Sequence, residues 1–235
     1  MDRNNFRRGI RDGIPIGLGY FAVSFSFGII AVSGGLSPWQ AALISLTNLT
    51  SAGQFAGIGI IFSGGSLWEM ALSQLIINLR YILMSFSLSQ KLIPGTGIIH
   101  RLGVAFGITD EIFGVSAAQE GKLSPYYSYG AMCMAIPGWT LGTFCGAIAG
   151  NILPAMIVSA LNVAIYGMFL AVFIPPATKN KAVLGVVLGS MSMSTLFKYA
   201  PVLNKVSSGF VIIITTVVVS AVAALLCPVR EESKQ

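Results

Sequence analysis

Charge is scarce in this chain. Only 9% of its 235 residues are charged, against roughly 25% in soluble domains. Hydrophobic residues make up 54%, and the mean hydropathy is +0.80. So few charges cannot cover a water-soluble fold of this size, which makes hydrocarbon the natural solvent for most of its surface. The chain also lacks the usual tools of metal and redox chemistry. It has one histidine, His100, and three cysteines, Cys133, Cys145 and Cys227, all within apolar stretches. No CxxC or Cys/His cluster occurs, so metal and cofactor roles are not expected. HExxH, GxSxG and paired catalytic aspartates with metal spacing are also missing, so the chain is not expected to be an enzyme.

What is present is a series of stretches close to the ~20 apolar residues that cross a bilayer. They are Ile14–Ser33, Trp39–Phe62, Leu67–Leu88, Leu102–Ala118, Tyr127–Ala149, Ile152–Ile174, Val183–Leu196 and Gly209–Leu226. The expected fold is therefore an all-α polytopic membrane protein. It has about eight hydrophobic segments and seven or eight spans, with room for broken or re-entrant ones. Residues 1–235 read as one transmembrane transporter domain, with no space for a separate soluble domain. The first stretch follows Arg3, Arg7, Arg8 and Arg11, contains Pro15, and lacks a small-x-small cleavage site. It reads as a retained helix rather than a signal peptide.

Those four arginines place residues 1–13 in the cytoplasm by the positive-inside rule. Eight simple crossings would then put Lys122, Lys179, Lys181, Arg230 and Lys234 inside, and Lys91, Arg101, Lys198 and Lys205 outside. Charge alone does not separate this topology from one in which the second and fourth segments turn back. The net charge of +6 belongs to span ends and headgroup contact, and nucleic acid is not an expected partner.

A faint repeat runs through the chain. Gly13-Ile-Pro-Ile-Gly17 matches Gly103-Val-Ala-Phe-Gly107, Gly53-Gln-Phe-Ala-Gly57 matches Gly142-Thr-Phe-Cys-Gly146, and Asn78 matches Asn162, at offsets of 90, 89 and 84 residues. Three elements per copy would invert the second copy in the membrane, a common transporter plan. Residues 14–90 and 102–175 would be the two copies, and 182–227 an added helix pair. The many small-xxx-small pairs suit close helix packing. Local unwinding is expected at Pro15 with Gly17 and Gly19, and between Asn48 and Gly53, where exposed backbone needs a cavity or protein cover.

Ionisable residues within spans mark function or buried pairs, because charge there costs at least ~2.5 kcal/mol. Arg80 lies in Leu75-Ile-Ile-Asn-Leu-Arg-Tyr-Ile-Leu83, and Asp110 with Glu111 in Gly107-Ile-Thr-Asp-Glu-Ile-Phe113. One reading is an ion pair holding segments three and four together. The other is a water-accessible cavity in which Arg80 meets a carboxylate and Asp110 or Glu111 meets an ammonium group or carries a coupling proton. Both readings can hold at once. Thr47, Thr50, Ser51 and Gln54 would share one helical face, as would Gln74, Asn78 and Tyr81. Trp139 is mid-segment and either walls a pocket or packs. Glu69, at the start of its span, reads as interfacial, and His100 as a solvated loop residue.

At these positions the chain resembles the AzlC (azaleucine-resistance) family, the large subunit of bacterial branched-chain amino-acid exporters. The shared features are the arginine-rich start into Gly13–Gly17, Ala52-Gly-Gln-Phe55, Asn78-Leu-Arg-Tyr81, Thr109-Asp-Glu-Ile-Phe113, Trp139-Thr-Leu-Gly-Thr143 and Leu161-Asn-Val-Ala164. The resemblance covers roughly residues 5–175. It implies export of valine, leucine, isoleucine or methionine across the bacterial inner membrane, driven by protons. It also implies a separately encoded hydrophobic subunit of the AzlD type with about four spans. Two departures stand out: Asn162 replaces an expected aspartate and Tyr81 an expected histidine. The expected substrate contacts are Arg80, Asn78, Asn48, Gln54, Asp110, Glu111, Phe55 and Trp139. Asp110 and Glu111 are the expected proton carriers, and Asn162 the polar residue equivalent by repeat. An uncoupled channel, and a scaffold whose partner carries the site, are the alternatives.

Overall fold

The computed structural model describes residues 2–150, 180–201 and 203–227, with positions 156, 174, 177 and 178 in addition. Its elements are α1 (Arg3–Ser33), α2 (Pro38–Thr47), α3 (Ala52–Phe62), α4 (Leu67–Lys91), α5 (Ile98–Phe106), α6 (Asp110–Ala117), α7 (Pro125–Gly150), α8 (Lys181–Tyr199) and α9 (Ser208–Leu226). Among the described residues, five helices, α1, α4, α7, α8 and α9, are long and apolar enough to cross a membrane. Extended pairing among them is limited to one bridge, Leu92 with Leu123. The protein is therefore an all-α polytopic membrane protein. Large apolar side chains cover its outside, with Leu18 and Leu83 about 70% exposed. Asn162 and most of the sixth apolar stretch lie outside the described residues.

The chain forms two compact units, Met1–Phe55 with Asn78–Ile165, and Ala56–Ile77 with Tyr166–Gln235. The first is built on α1 and α7, which run parallel with their backbones touching. A methyl group added at Gly9 would lie 2.0 Å from Tyr127 O, at Gly28 2.0 Å from Thr143 O, and at Gly146 1.9 Å from Phe25 O. Glycine is thus required along both helices for this approach, which dispersion and backbone contact stabilise where no hydrophobic force acts between apolar helices. Pro15 sits inside α1, and the helix runs through it without a break. The unwinding expected there does not occur, because Gly13 and Gly17 on either side are held against Ala131 and Met134 of α7.

Two apolar stretches do break. The second ends as helix at Thr47 and restarts at Ala52. Asn48 is extended, its Oδ1 accepts from Thr50 Oγ1 at 2.6 Å, and Ser51 has φ +36°, a conformation that non-glycine residues adopt at a cost. Short polar side chains here compete with the helical ladder. The polar face expected from Thr47 to Gln54 is consequently not formed. Thr47 turns back to Leu43 O at 2.8 Å, while Gln54 belongs to the next helix. The fourth stretch breaks at Gly107–Thr109, where Thr109 Oγ1 caps α6 by accepting from Ile112 N at 3.3 Å.

The two halves of that fourth stretch turn back on themselves. With 9 residues in α5 and 8 in α6, each reaches roughly 12–14 Å, about half of a ~30 Å core. At the start of α5, Arg101 donates to Ser89 O and Thr96 O, both at 3.1 Å. At the end of α6, Lys91 donates to the carbonyls of Ala117 and Gln119. Both ends of the hairpin therefore sit at the last turn of α4, and α5–α6 is re-entrant. The amino ends of α1 and α7 lie there too. Arg8 Nη2 donates to Gln119 Oε1 at 2.7 Å, and the Tyr127 hydroxyl donates to Asp12 Oδ2 at 2.6 Å. Lys91 and Arg101, expected on the opposite side from Arg8 and Lys122, share one end with them. The two breaks also fall in segments that the repeat does not pair.

In the second unit, α8 and α9 form a helix pair, with Gly189 close to Val219. Glu69, expected to be interfacial at the start of its span, is also a buried cap. It is 3% exposed, and its carboxylate accepts from Ser207 Oγ at 2.6 Å and Gly209 N at 2.9 Å, capping the start of α9. A carboxylate at a helix amino end satisfies unpaired N–H groups, a role that position along the chain does not reveal.

Gly146→Ala should lower thermal stability in detergent by about 1–3 kcal/mol, the usual cost of overpacking. Gly19→Ala, where a methyl group meets nothing within 4 Å, should not destabilise. In a chain whose three cysteines are replaced by serine, Glu120→Cys and Arg7→Cys should react with an impermeant maleimide from one side of the membrane and Gly34→Cys from the other. Opposite-side labelling of positions 7 and 120 would rule out the re-entrant hairpin.

Candidate functional site

The hairpin tip and the start of α3 bring most of the expected polar residues into the first unit. Arg80 projects from α4, 11 residues before Lys91, or about 16 Å along the helix axis from the basic end. Asp110 opens α6 at the deepest point of the hairpin. Arg80 Nη1 and Asp110 Oδ2 are 2.8 Å apart, and their side chains remain 43% and 44% exposed. The pair is neither sealed nor fully solvated. Arg80 also lies over the Tyr81 ring at 5.0 Å and donates to the Tyr81 hydroxyl at 3.3 Å. Among the described residues this is the one salt bridge.

Glu111 follows on the same helix end and is exposed. Both acids occupy the first turn of α6, where the helix dipole favours negative charge. The Tyr20 hydroxyl lies 2.6 Å from Thr109 Oγ1 and also contacts Glu111 Oε2, so its one proton serves one acceptor at a time. The Tyr20 ring meets Trp139 edge to face at 5.2 Å.

From Trp139 a second polar chain runs inward. Its Nε1 donates to Gln54 Oε1 at 2.7 Å, Gln54 Nε2 donates to Ser45 Oγ at 2.9 Å, and Ser45 and Thr143 share a hydrogen bond of 2.7 Å. All four are enclosed, Gln54 and Trp139 each at 2% exposure. Every polar atom that this buried chain uses is paired, which is the condition for burying it.

The expected residues thus fall into two linked groups. Arg80, Asp110 and Glu111 are exposed, whereas Gln54 and Trp139 are buried. Phe55 packs edge to face on Phe27 at 5.3 Å. Asn48 holds the break before α3, and Asn78 is half-buried on α4. Phe113 packs against the cluster of Leu88, Val104 and Tyr127. Sequence reasoning missed Tyr20, Thr109 and Thr143. A threonine just before two acids is an N-cap signal and could have revealed Thr109, but nothing local distinguishes Tyr20. His100, read as solvated, lies in α5 with Nδ1 3.0 Å from the Tyr129 hydroxyl.

A family model described as AzlC protein matches residues 15–153. The chain belongs to the AzlC family. A protein named "Inner membrane protein YgaZ" from Escherichia coli K12 is 28% identical over 202 residues, covering 82% of each chain. An "Uncharacterized membrane protein" of Archaeoglobus fulgidus is 34% identical over 172 residues, 72% of this chain and 75% of its own. One of Helicobacter pylori with the same description is 24% identical over 155 residues, 63% of this chain and 67% of its own. No solved structure matches. The family match runs from Pro15 within α1 to just past the end of α7, so Gly17, Gly28 and the α7 glycines, both breaks and the Arg80–Asp110 pair lie within it, while Gly9 and Gly13 precede it.

Gln54→Leu should strand the Trp139 N–H and take away the donor to Ser45 Oγ in a dry interior. A stranded group costs about 1–3 kcal/mol, so the variant should melt well below the native protein in detergent. Equal melting would mean that the buried chain adds nothing to stability.

Proposed function

We propose that this AzlC-family protein is a secondary transporter that exports branched-chain and related aliphatic amino acids across the bacterial inner membrane. In this reading it is the large subunit of a two-component system with a small AzlD-type hydrophobic partner of about four spans, and protons drive it. The observation that carries the reading is the half-exposed Arg80–Asp110 pair at the tip of a re-entrant hairpin, with Glu111 beside it.

An ion pair of this kind can be exchanged for a zwitterion. The substrate carboxylate takes the place of Asp110 on Arg80, and its ammonium takes the place of Arg80 on Asp110. One salt bridge is broken and two are made, so no charge is left bare at membrane depth, where an unpaired ion is costly. Protonation of a carboxylate weakens its hold on Arg80 and on the ammonium, and thereby couples release to the proton gradient. Asn78, two residues before Arg80 on α4, points to another side of that helix, so it would meet the substrate only from outside the pair. Gln54, Asn48, Phe55 and Trp139 would join only as the tip and the start of α3 separate. Aliphatic side chains differ by ~1–3 kcal/mol per methylene in an apolar pocket, so several amino acids are carried.

The residues of the first unit also support an orientation. Arg3, Arg7, Arg8, Arg11, Lys91, Arg101 and Lys122 gather at one end, while the connection Gly34–Ser37 at the other carries no charge. In this reading that basic end, and with it the amino terminus, faces the cytoplasm, as the positive-inside rule favours.

Counterflow of labelled leucine in proteoliposomes, with and without the partner subunit, tests the assignment. Native protein should exchange leucine, and Arg80→Gln should abolish exchange. Asp110→Asn should remain monodisperse yet lose its response to a pH gradient. Gradient-driven export by Asp110→Asn at the native rate would remove the proton role, and native exchange by Arg80→Gln would remove the site.

A further inference from the structure

A groove of about 430 Å3 lies in the first unit between α4 and α5, lined among others by Tyr81, Ser85, Ser89, Ile98, Arg101 and Leu102. Its walls are mainly apolar. Phe86 and Leu102 are 66% and 63% exposed. Along α4 it runs from Ser89 to Tyr81, about 12 Å at 1.5 Å per residue. Its shallow end is the basic end of the unit and holds Arg101. Its deep end is Tyr81, which touches Arg80.

Arg101 is the feature that selects an occupant. Its guanidinium donates to Thr96 O, Ser89 O and Ser89 Oγ, all neutral acceptors. Lys91 and Lys122 nearby likewise donate to backbone carbonyls. Among the described residues none of these three cations lies within salt-bridge distance of a carboxylate. The shallow end therefore carries net positive charge at headgroup depth, and the groove below it is apolar.

From this arrangement we infer that the α4–α5 groove binds an anionic phospholipid, with its phosphate on Arg101 and one acyl chain laid towards Tyr81. A zwitterionic lipid offers the same chain but no net negative charge, and a soluble phosphate offers charge without the chain. Bound lipid would brace the outer face of the re-entrant hairpin and hold α5 against α4. The assignment does not depend on the transport reading, since it rests only on the groove and the uncompensated cations.

The test uses the full-length protein in detergent with added phosphatidylglycerol, phosphatidylcholine or glycerol phosphate, read by native mass spectrometry and thermal shift. Phosphatidylglycerol should be retained about fivefold better than phosphatidylcholine, matching the ~1 kcal/mol that one basic residue contributes near an anionic surface. Glycerol phosphate should give no shift. Arg101→Gln should erase the preference between the two lipids. Because that change also removes bonds to Ser89 and Thr96, Leu102→Trp serves as a second variant, filling the groove while keeping every cation. It should lower retention of both lipids. Equal retention of the two lipids by native protein, native retention by Leu102→Trp, or an equal shift from glycerol phosphate would each overturn the assignment. So would photocrosslinking from position 102 that yields the partner subunit in place of lipid.

Discussion

The contact on which the first unit depends is backbone against backbone, between α1 and α7. Between two apolar helices in lipid there is no hydrophobic gain from association, because the acyl chains are as apolar as the side chains they would replace. What remains is the density of van der Waals contact, and that rises as axes approach. Glycine at Gly9, Gly28, Gly138 and Gly146 lets carbonyls of one helix rest on the Cα atoms of the other. The polar groups follow from this contact. Tyr20 is brought to Trp139 because Gly17 abuts Gly138, and Ser45 reaches Thr143 on the helix that Gly28 touches.

The second constraint is the low polarity of the surroundings. Irregular backbone at membrane depth survives only where protein or water satisfies it. At the second break Thr109 Oγ1 accepts from Ile112 N, and at the first the backbone satisfies itself, Gly53 N donating to Thr50 O and Phe55 N to Ser51 O, while Asn48 and Thr50 tie their side chains together. Short helices that end in mid-membrane also present their polar ends where a full-length span would present only side chains. The acids at the start of α6 use that position. They lie where the helix dipole favours negative charge, and one of them is neutralised by Arg80.

Much of the fold was legible in the sequence because composition and span length report directly on the solvent. The break between Asn48 and Gly53 was legible too, since clustered Asn, Thr and Ser side chains compete with the helical ladder wherever they occur. An ion pair of Arg80 with one of the acids was one of two readings that the cost of lone charge suggested, and the structure makes it with Asp110, while Glu111 meets Tyr20. The failures have a common physical cause. Pro15 was read as a breaker from its own chemistry, but the helix that α1 packs on overrides it. Glu69 was read from its place near a span end, although its partners lie more than 130 residues away. Re-entrance of the fourth stretch was left open, because an apolar run of that length suits a crossing as well as two half-helices. Only the partners of Arg101 and Lys91 decide between them.

The two polar groups are joined at a single place, and that shapes how they can act together. Glu111 meets Tyr20, Tyr20 meets Trp139, and Trp139 meets Gln54 at the start of α3. The link between Tyr20 and Trp139 is a ring contact rather than a hydrogen bond, so a proton cannot pass along it. Geometry can. A change in the hydrogen bond between Tyr20 and Glu111 reorients a ring whose neighbour is fixed by Gln54 in a dry core. Because Trp139 Nε1 is bonded to Gln54 Oε1, a shift of Trp139 must be met by movement at Gln54 or by the loss of a bond worth about 1 kcal/mol or more. Displacing Asp110 and Glu111 at the hairpin tip therefore bears on the start of the other broken segment. The two broken segments are thus in contact through one tyrosine and one tryptophan, carried by the two helices whose backbones touch.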